Sequence, residues 1–482
     1  MNYEQAMEYI HAVQWAGHKP GLTRTRTLLA ALGDPHKKLQ FVHVAGTNGK
    51  GSTCAYLASI LQAAGYRTGL FTSPYLETFE ERIRVDGENI PAADLLEATL
   101  EVREQAEALT DHPTEFELMC AVALVHFARS ACDVVVLEVG LGGRFDATNV
   151  IDAPEACVIA RIGVDHTKLL GNTLTAIAKE KAGIVKHGAP VVSYPQDPEA
   201  MAVIELAAAE AGDELAVADF AQLSCGKVAW SASSPATGAG SDAPAAGAPA
   251  TGGDAFPPAT VPGKGVQAAD SGAGAPCRQF SYREFRDLQT ALLGSYQPSN
   301  AALAIETVRV LRERGWNIPD EAVREGVADA RWPGRFEIVG RDPLFVVDGG
   351  HNPQGARALV DTLHELMDDS AASRQAARPR VVFVIGVLED KDYPSMLEAV
   401  LPEGDAFVAL TPDNPRALPA DKLARAIRWT GQDLLGCSAC VKPYVSRDAQ
   451  DAVRQARELA GDEGIVVAFG SLYSVAALKA AL

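Results

Sequence analysis

The run Gly46-Thr47-Asn48-Gly49-Lys50-Gly51-Ser52 carries the residue types of a phosphate loop at a shortened spacing. In the usual pattern four residues separate a first glycine from a Gly-Lys pair. The loop's backbone N–H groups cradle phosphates, its lysine reaches the outer ones and its hydroxyl lies near Mg²⁺. Here only Thr47 and Asn48 intervene, and Val44 stands where the first glycine of the longer pattern would fall. Three more candidate groups follow: Ser73, ahead of Pro74; Glu138, ahead of "VGLGGRFDATN"; and His166, preceded by Asp165. Each alone has an ordinary reading, as a glycine-rich turn, a turn serine, a solvated strand end or a capping histidine. As a set they fit a Mg–nucleotide site, because hard oxygen ligands suit Mg²⁺ and phosphate oxygens complete its octahedron.

What unites the set is position. Each group follows a strand-like run: "LQFVHVA" (39–45), "YRTGLFTS" (66–73), "CDVVVLEVG" (132–140) and "EACVIARIG" (155–163). These runs alternate with helical patterns such as "STCAYLASILQAAG" (52–65), closed by glycine. Such alternation marks an α/β fold with a parallel sheet, in which ligands gather beyond the carboxyl ends of the strands. After "LLGSYQPSNAALAIETVRVL" a second α/β series begins, with strands expected at 343–348, 380–386, 405–411 and 464–470. Two domains are therefore expected, 1–296 and 297–482. From Ser231 to Cys277 the composition collapses into Ala, Gly, Pro and Ser. Such a segment cannot bury enough apolar surface to offset its ordering entropy, so a disordered insertion is expected there.

A chain of 482 residues is too long for one ordinary domain, and 47% hydrophobic with 22% charged residues describes a soluble globular protein. No stretch reaches the roughly 18 uncharged apolar residues of a membrane span. "MNYEQAMEYIHAV" lacks a basic segment followed by an apolar run, so no secretory signal is expected and the cytoplasm is the expected compartment. The net charge of −19 argues against nucleic acid and anionic membranes as partners, though local lysines and backbone N–H groups can still hold phosphate. The eight cysteines read as reduced core residues, and the lone Cys437/Cys440 CxxC, without a second pair or nearby histidines, is given no zinc or redox role.

Residues 172–188, "NTLTAIAKEKAGIVKHG", read as a helix with Lys179 and Lys181 on its path. A solvated basic face is the ordinary reading. Beside a two-metal site an unpaired lysine would be repelled, so its use there would need a change in its charge. With these residues assembled, the sequence resembles the folylpolyglutamate synthase family, including its bifunctional dihydrofolate synthase form, within the Mur-type amide ligases. The resemblance rests on "HVAGTNGKGST", "LFTSPYLETFEERIRVDG", "EVGLGGRFDATNV", "DHTKLLGNTLTAIAKEKAGIVK", "WPGRFE", "DGGHNP" and "GSLYSV". It implies an N-terminal P-loop-type parallel-sheet ATPase domain and a smaller, Rossmann-like α/β C-terminal domain. It further implies that Gly46, Thr47, Asn48, Gly49, Lys50, Gly51 and Ser52 cradle ATP. Ser52, Ser73 and Glu138 would attend a first Mg²⁺. His166 and a carbamylated Lys181 would bind a second, which Glu138 also approaches. Carbamylation needs a neutral lysine, and Lys179 and metal are expected to lower the Lys181 pKa. By the same resemblance Asn300 contacts the adenine side, Arg335 the phosphates, and Asp348 and His351 the ribose and phosphate region. Thr114, Glu115, Phe116 and Glu117, with Arg144, Phe145, Asp146 and Ala147, would contact the pterin substrate. Lys50, Lys181, His166 and Glu138 are the catalytic set, and the implied enzyme is a monomer.

The implied reaction needs no side-chain nucleophile. A folate or dihydropteroate carboxylate attacks the ATP γ-phosphate, and L-glutamate then displaces phosphate from the acyl phosphate to form an amide. Two rival readings differ in what they leave unused. A peptidoglycan Mur ligase expects a UDP-sugar-binding domain ahead of the loop, where only 45 residues stand before Gly46. A nucleotide-binding regulator gives "TSPYLETFEERI" and "RFDATN" nothing to do.

Overall fold

The computed structural model describes residues 2–12, 21–230, 276–373, 378–436 and 441–482. Eight strands form the first sheet: β1 (Phe41–Ala45), β2 (Thr68–Phe71), β3 (Ile83–Val85), β4 (Glu88–Asn89), β5 (Val134–Glu138), β6 (Ala156–Ile159), β7 (Val191–Ser193) and β8 (Leu215–Val217). Their order is β4-β3-β2-β5-β1-β6-β7-β8; β3 and β4 turn back antiparallel at one edge and the rest run parallel. Every residue of β1, β5 and β6 is buried, which is why these strands read as unbroken apolar runs rather than alternating ones. The chain order reverses around β1, with β5 on one side and β6 on the other. A crevice opens at that switch point.

A second, antiparallel sheet holds β9 (Leu223–Trp230), β10 (Pro276–Tyr282) and β11 (Phe285–Thr290). The third has β12 (Glu337–Arg341), β13 (Leu344–Asp348), β14 (Val381–Ile385), β15 (Ala406–Ala409), β16 (Pro443–Val445) and β17 (Ile465–Phe469), in the order β12-β13-β17-β14-β15-β16. Only β12 is antiparallel in it. Helices cover both of its faces, with Leu359, Leu363, Leu397 and Leu423 in one core and Val453, Ala456, Val475 and Leu478 in the other.

The division expected at 296/297 does not follow the packing. Helices Gln297–Glu313 and Asp320–Asp329 share one core with Val42, Val44 and the helix Lys50–Ala63 that follows the phosphate loop. They bury Ala301, Leu303, Ile305, Val323 and Val327 in that core, so both belong to the first domain. The second packing unit begins at β12. The turn signals of "LLGSYQPSN" mark only the entry to one more helix. The expected insertion lies outside the described residues over 231–275, whereas Pro276 and Cys277 open β10. Cys437 and Cys440 also lie outside the described residues; Cys54, Cys120, Cys132 and Cys157 are buried as expected, whereas Cys225, exposed, and Cys277, half-buried, lie on the small antiparallel sheet and are not core residues.

The first domain's helices meet closely. A Cβ added to Gly326 would stand 2.4 Å from the Ile60 Cα and 2.5 Å from its nitrogen. Alanine favours helices over glycine by about 1 kcal/mol, but backbone cannot retreat as a flexible side chain can, and overpacking costs about 1–3 kcal/mol. Gly326→Ala should therefore lower the melting temperature; an unchanged or higher one would contradict this helix contact.

Candidate active site

β1 delivers the phosphate loop to the crevice. The loop is pinned from β6: Thr47 N and Asn48 N both donate to the Arg161 carbonyl, at 2.9 and 3.1 Å, and the Thr47 hydroxyl donates to Gly163 O at 3.0 Å. Gly49 has φ +85°, in the left-handed region, and a Cβ there would stand 2.4 Å from Asn300 Oδ1. Asn300 thus lies against the loop, its amide donating to Gln297, whose own amide donates to the Ser52 hydroxyl at 3.2 Å. Lys50 folds back over the loop, with Nζ 3.1 Å from Gly46 O and 4.0 Å from Glu138 Oε1.

Glu138 ends β5 directly beside Val44 of β1. Burial pushes its carboxyl pKa up, while Lys50, the Ser73 backbone N–H, Arg335 and Arg82 act against that rise. The Ser73 N–H donates to Glu138 Oε2 at 3.1 Å, so the β2 and β5 strand ends are joined at this carboxylate. Gly51, Ser73, Tyr75, Glu138, Trp332 and Arg335 line a cleft between the domains.

Lys181 stands in the last turn of the helix Leu174–Ala182, buried, with Nζ donating to Gly46 O at 2.8 Å. Burial first and Lys50 second lower its pKa to about 7, against the pull of Asp165, Asp146 and Glu180. The neighbouring cation is therefore Lys50, in place of the expected Lys179. His166, at φ +50°, opens the short helix Thr167–Leu170. Loss of hydration beside Lys391, Lys50 and Lys181 takes its pKa below the usual imidazole value although its side chain is still 40% exposed, so the ring is neutral at pH 7 with its nitrogens able to ligate.

The second domain closes the site with groups the motif reading passed over. Asp165 Oδ1 accepts from Lys391 Nζ at 2.8 Å, and both side chains are almost wholly buried. His351 Nε2 lies 3.7 Å from the same carboxylate; its Nδ1 faces the Gly349 carbonyl at 3.0 Å and must carry the proton, because a carbonyl only accepts. Asn352 donates to Asn48 Oδ1 at 2.9 Å, and Asn48 donates to Gln354 Oε1 at 2.6 Å. Asn352 and Gln354 flank the end of "DGGHNP" and were within reach of sequence reasoning; Lys391 sits in "LEDKDY", which carries no motif signal. Asp348 is occupied internally, accepting from Phe336 N at 2.8 Å, Gly350 N at 2.6 Å and the Tyr296 hydroxyl at 3.2 Å. It shapes the turn that carries His351.

The acceptor-side segments divide in the same way. Thr114 and Glu117 form the capping box of the helix Glu115–Arg129, and Glu117 also accepts from Arg24 Nε and the Thr25 hydroxyl, each at 3.1 Å. Asp146 accepts from Leu141 N at 2.8 Å and the Thr148 hydroxyl at 2.6 Å, and Ala147 is buried. These four build the wall. Phe116 packs on Gly140 and Phe71, Glu115 accepts from His11, and Arg144 and Phe145 are exposed.

Among the described residues no three His, Cys, Asp or Glu side chains group as a metal site. The Glu138 carboxylate and the Ser52 and Ser73 hydroxyls are hard oxygens of the kind that suits Mg²⁺ when ligand oxygens fill the remaining positions. The Asp165–Lys391 pair couples the domains. Breaking a buried ion pair at one end costs about 3–5 kcal/mol, whereas removing both ends costs far less. Lys391→Met should lower the melting temperature markedly, and Asp165→Asn added to it should restore part of the loss; additive losses would show that the pair is not coupled.

Residues 44–218 match the family described as Mur ligase middle domain, and 334–472 match the Mur ligase, glutamate ligase domain. The chain is 36% identical to the dihydrofolate synthase/folylpolyglutamate synthase of Bacillus subtilis, over 99% of this chain and 98% of that one. It is 32% identical to the folylpolyglutamate synthase of Lacticaseibacillus casei, over 100% and 99% of the two chains. Among solved structures it is similar to Escherichia coli FolC in complex with DHPP and ADP. The TM-score is 0.76 at 29% identity, covering 99% of this chain and 96% of that one.

Proposed function

The chain belongs to the dihydrofolate and folylpolyglutamate synthase family of Mur ligases, and from that premise we propose that it joins L-glutamate to both dihydropteroate and reduced folates. It is an ATP-dependent ligase. The observation that carries the fuller reading is Lys181, buried, with a pKa of about 7 and in contact with the phosphate loop at Gly46. A lysine half neutral near pH 7 can add CO₂: the ammonium first gives up one proton, the neutral amine forms an N–C bond as one C=O π bond opens onto oxygen, and a second proton leaves nitrogen for solvent, so the site gains an anionic oxygen donor. With His166 that carbamate would hold a second Mg²⁺, while Glu138, Ser52 and Ser73 would hold the first. Two bound Mg²⁺ would neutralise phosphate charge and fix the line of attack.

The residues of the chain then position two successive displacements. Loop N–H groups and Lys50 hold the β- and γ-phosphates, and Arg335 approaches from the second domain. The acceptor carboxylate oxygen bonds to the γ-phosphorus as the bond to the bridging oxygen breaks, releasing ADP and leaving an acyl phosphate. The glutamate amine bonds to the acyl carbon, phosphate leaves, and the amine loses a proton. Closure by Asp165, Lys391 and Asn352 keeps water from the acyl phosphate. The same reading makes the enzyme a cytoplasmic monomer with small-molecule partners; among the described residues no helix is long and apolar enough to cross a membrane.

The test is ATP-dependent ligation with Mg²⁺ and bicarbonate, run on dihydropteroate and on a reduced folate monoglutamate, with products read by mass. Glutamate should be added to both. Addition to the folate alone would reduce the enzyme to a polyglutamate synthase, and no product from either would favour a nucleotide-binding regulator. Lys181→Ala should lower turnover by about 100-fold or more, the scale of removing one preorganised charge-stabilising group. At a fixed CO₂ concentration, reactivation of CO₂-depleted enzyme should quicken as pH rises through about 7, because only the deprotonated amine reacts. Near-normal turnover of the variant would end the carbamate reading.

A further inference from the structure

Arg82 has no part in the displacements above, yet its state demands a partner. It closes the short turn Phe79–Arg82, with its guanidinium 4.9 Å from the Tyr75 ring centre and 5.7 Å from that of Phe79. Its Nε is buried without a hydrogen-bond partner, and among the described residues no carboxylate forms an ion pair with it. A guanidinium does not lose its proton in a protein, so a half-buried charge is held here with no carboxylate paired directly to it, Glu115 and Glu138 acting only from a distance. That is costly unless an anion arrives. Two aromatic faces hold the fork ready, as cation–π contact does at ligand sites.

The position of Arg82 selects the anion. Lys50 and Arg335 serve the phosphates, close to Glu138. Arg82 stands behind Tyr75, which lines the same cleft as Glu138 and Arg335, and the charged and ionisable groups it feels are Tyr75, Glu115 of the expected acceptor segment, Tyr473 and Glu138. Three of these four come from acceptor-side segments or the facing second domain. The two acceptors differ there in one respect. Dihydropteroate has a single carboxylate, which reacts. A folate monoglutamate reacts through its γ-carboxylate and carries the α-carboxylate as a spectator. We propose that Arg82 binds the spectator α-carboxylate of the glutamyl residue being extended, and so separates folate from dihydropteroate as acceptors. This rests on the acceptor pair read above.

The experiment compares wild type, Arg82→Met and Arg82→Lys, as full chains, on a reduced folate monoglutamate, on its α-carboxamide and on dihydropteroate. Arg82→Met should raise KM for the folate by about 10- to 100-fold, the scale of a charge-assisted hydrogen bond. The ratio of kcat/KM for folate over dihydropteroate should fall by the same factor. Wild type should treat the α-carboxamide as the variant treats the folate, and Arg82→Lys should recover part of the loss. An equal loss on both acceptors, or a folate KM within about twofold of wild type, would overturn the assignment. A second readout needs no turnover: the folate should raise the melting temperature of wild type and leave Arg82→Met unmoved. A missing wild-type ligation would therefore sink the acceptor reading while this binding result still decided the role of Arg82. Equal thermal shifts in both proteins would refute that role.

Discussion

Two lysine side chains donate to one carbonyl oxygen, and much of the site depends on that. Gly46 O receives Lys50 Nζ at 3.1 Å and Lys181 Nζ at 2.8 Å. Two full ammonium charges so close would repel strongly in a buried setting. The conflict falls on Lys181, which is enclosed and cannot shed its cost into water, so its proton affinity drops. Lys50 keeps contact with solvent at the cleft and with Glu138. One carbonyl thereby holds two chemically identical side chains, and burial sorts out Lys181 as the titratable amine. The sorting works only because β1, β5 and the helix Leu174–Ala182 converge on the same few ångströms.

At this point the second domain is attached by polar contacts, although farther away Val228 and Leu293 of the first domain join its apolar core. Asn48 of the loop is held by Asn352 and Gln354, and Asp165 by Lys391. On the far side Arg278 of β10, fully buried, donates to Leu293 O and pairs with Glu365 of the second domain. Hydrophobic burial is indifferent to direction; ion pairs and amide bonds are not. A joint built from them can part and re-form in one register, which suits an enzyme that must admit three substrates and then exclude water.

Legibility in the sequence followed the kind of physics involved. The strands of both parallel sheets were readable because burial on two faces leaves continuous Val/Ile runs, and the strand ends then located Glu138, Ser73 and His166. The division of the domains was not. The apolar face of Gln297–Glu313 looks the same whichever core it enters, and only the packing of Ala301, Leu303 and Ile305 with Val42 and Ile60 decides. The internal hydrogen bonds of Thr114, Glu117 and Asp146 were not readable, because a capping carboxylate and a ligand-binding one are the same residue in a string. Lys391 was invisible, since a single lysine acquires meaning only from the Asp165 it meets some 200 residues away (226 apart).

The shortened loop can now be understood as a matter of support. A longer phosphate loop holds its curve largely by its own glycines. Here Thr47 N and Asn48 N are tied to Arg161 O and the Thr47 hydroxyl to Gly163 O, so the strand-end segment after β6 supplies the curvature that the missing residues would have given. Two close approaches fill the remaining space. A Cβ on Gly51 would stand 2.5 Å from the Trp332 ring, and one on Gly49 would meet Asn300. The glycines therefore serve contact with neighbouring elements as well as freedom of φ. The loop is short because the protein around it completes its wall, and that wall includes Trp332, at the junction with the domain that must close over the nucleotide.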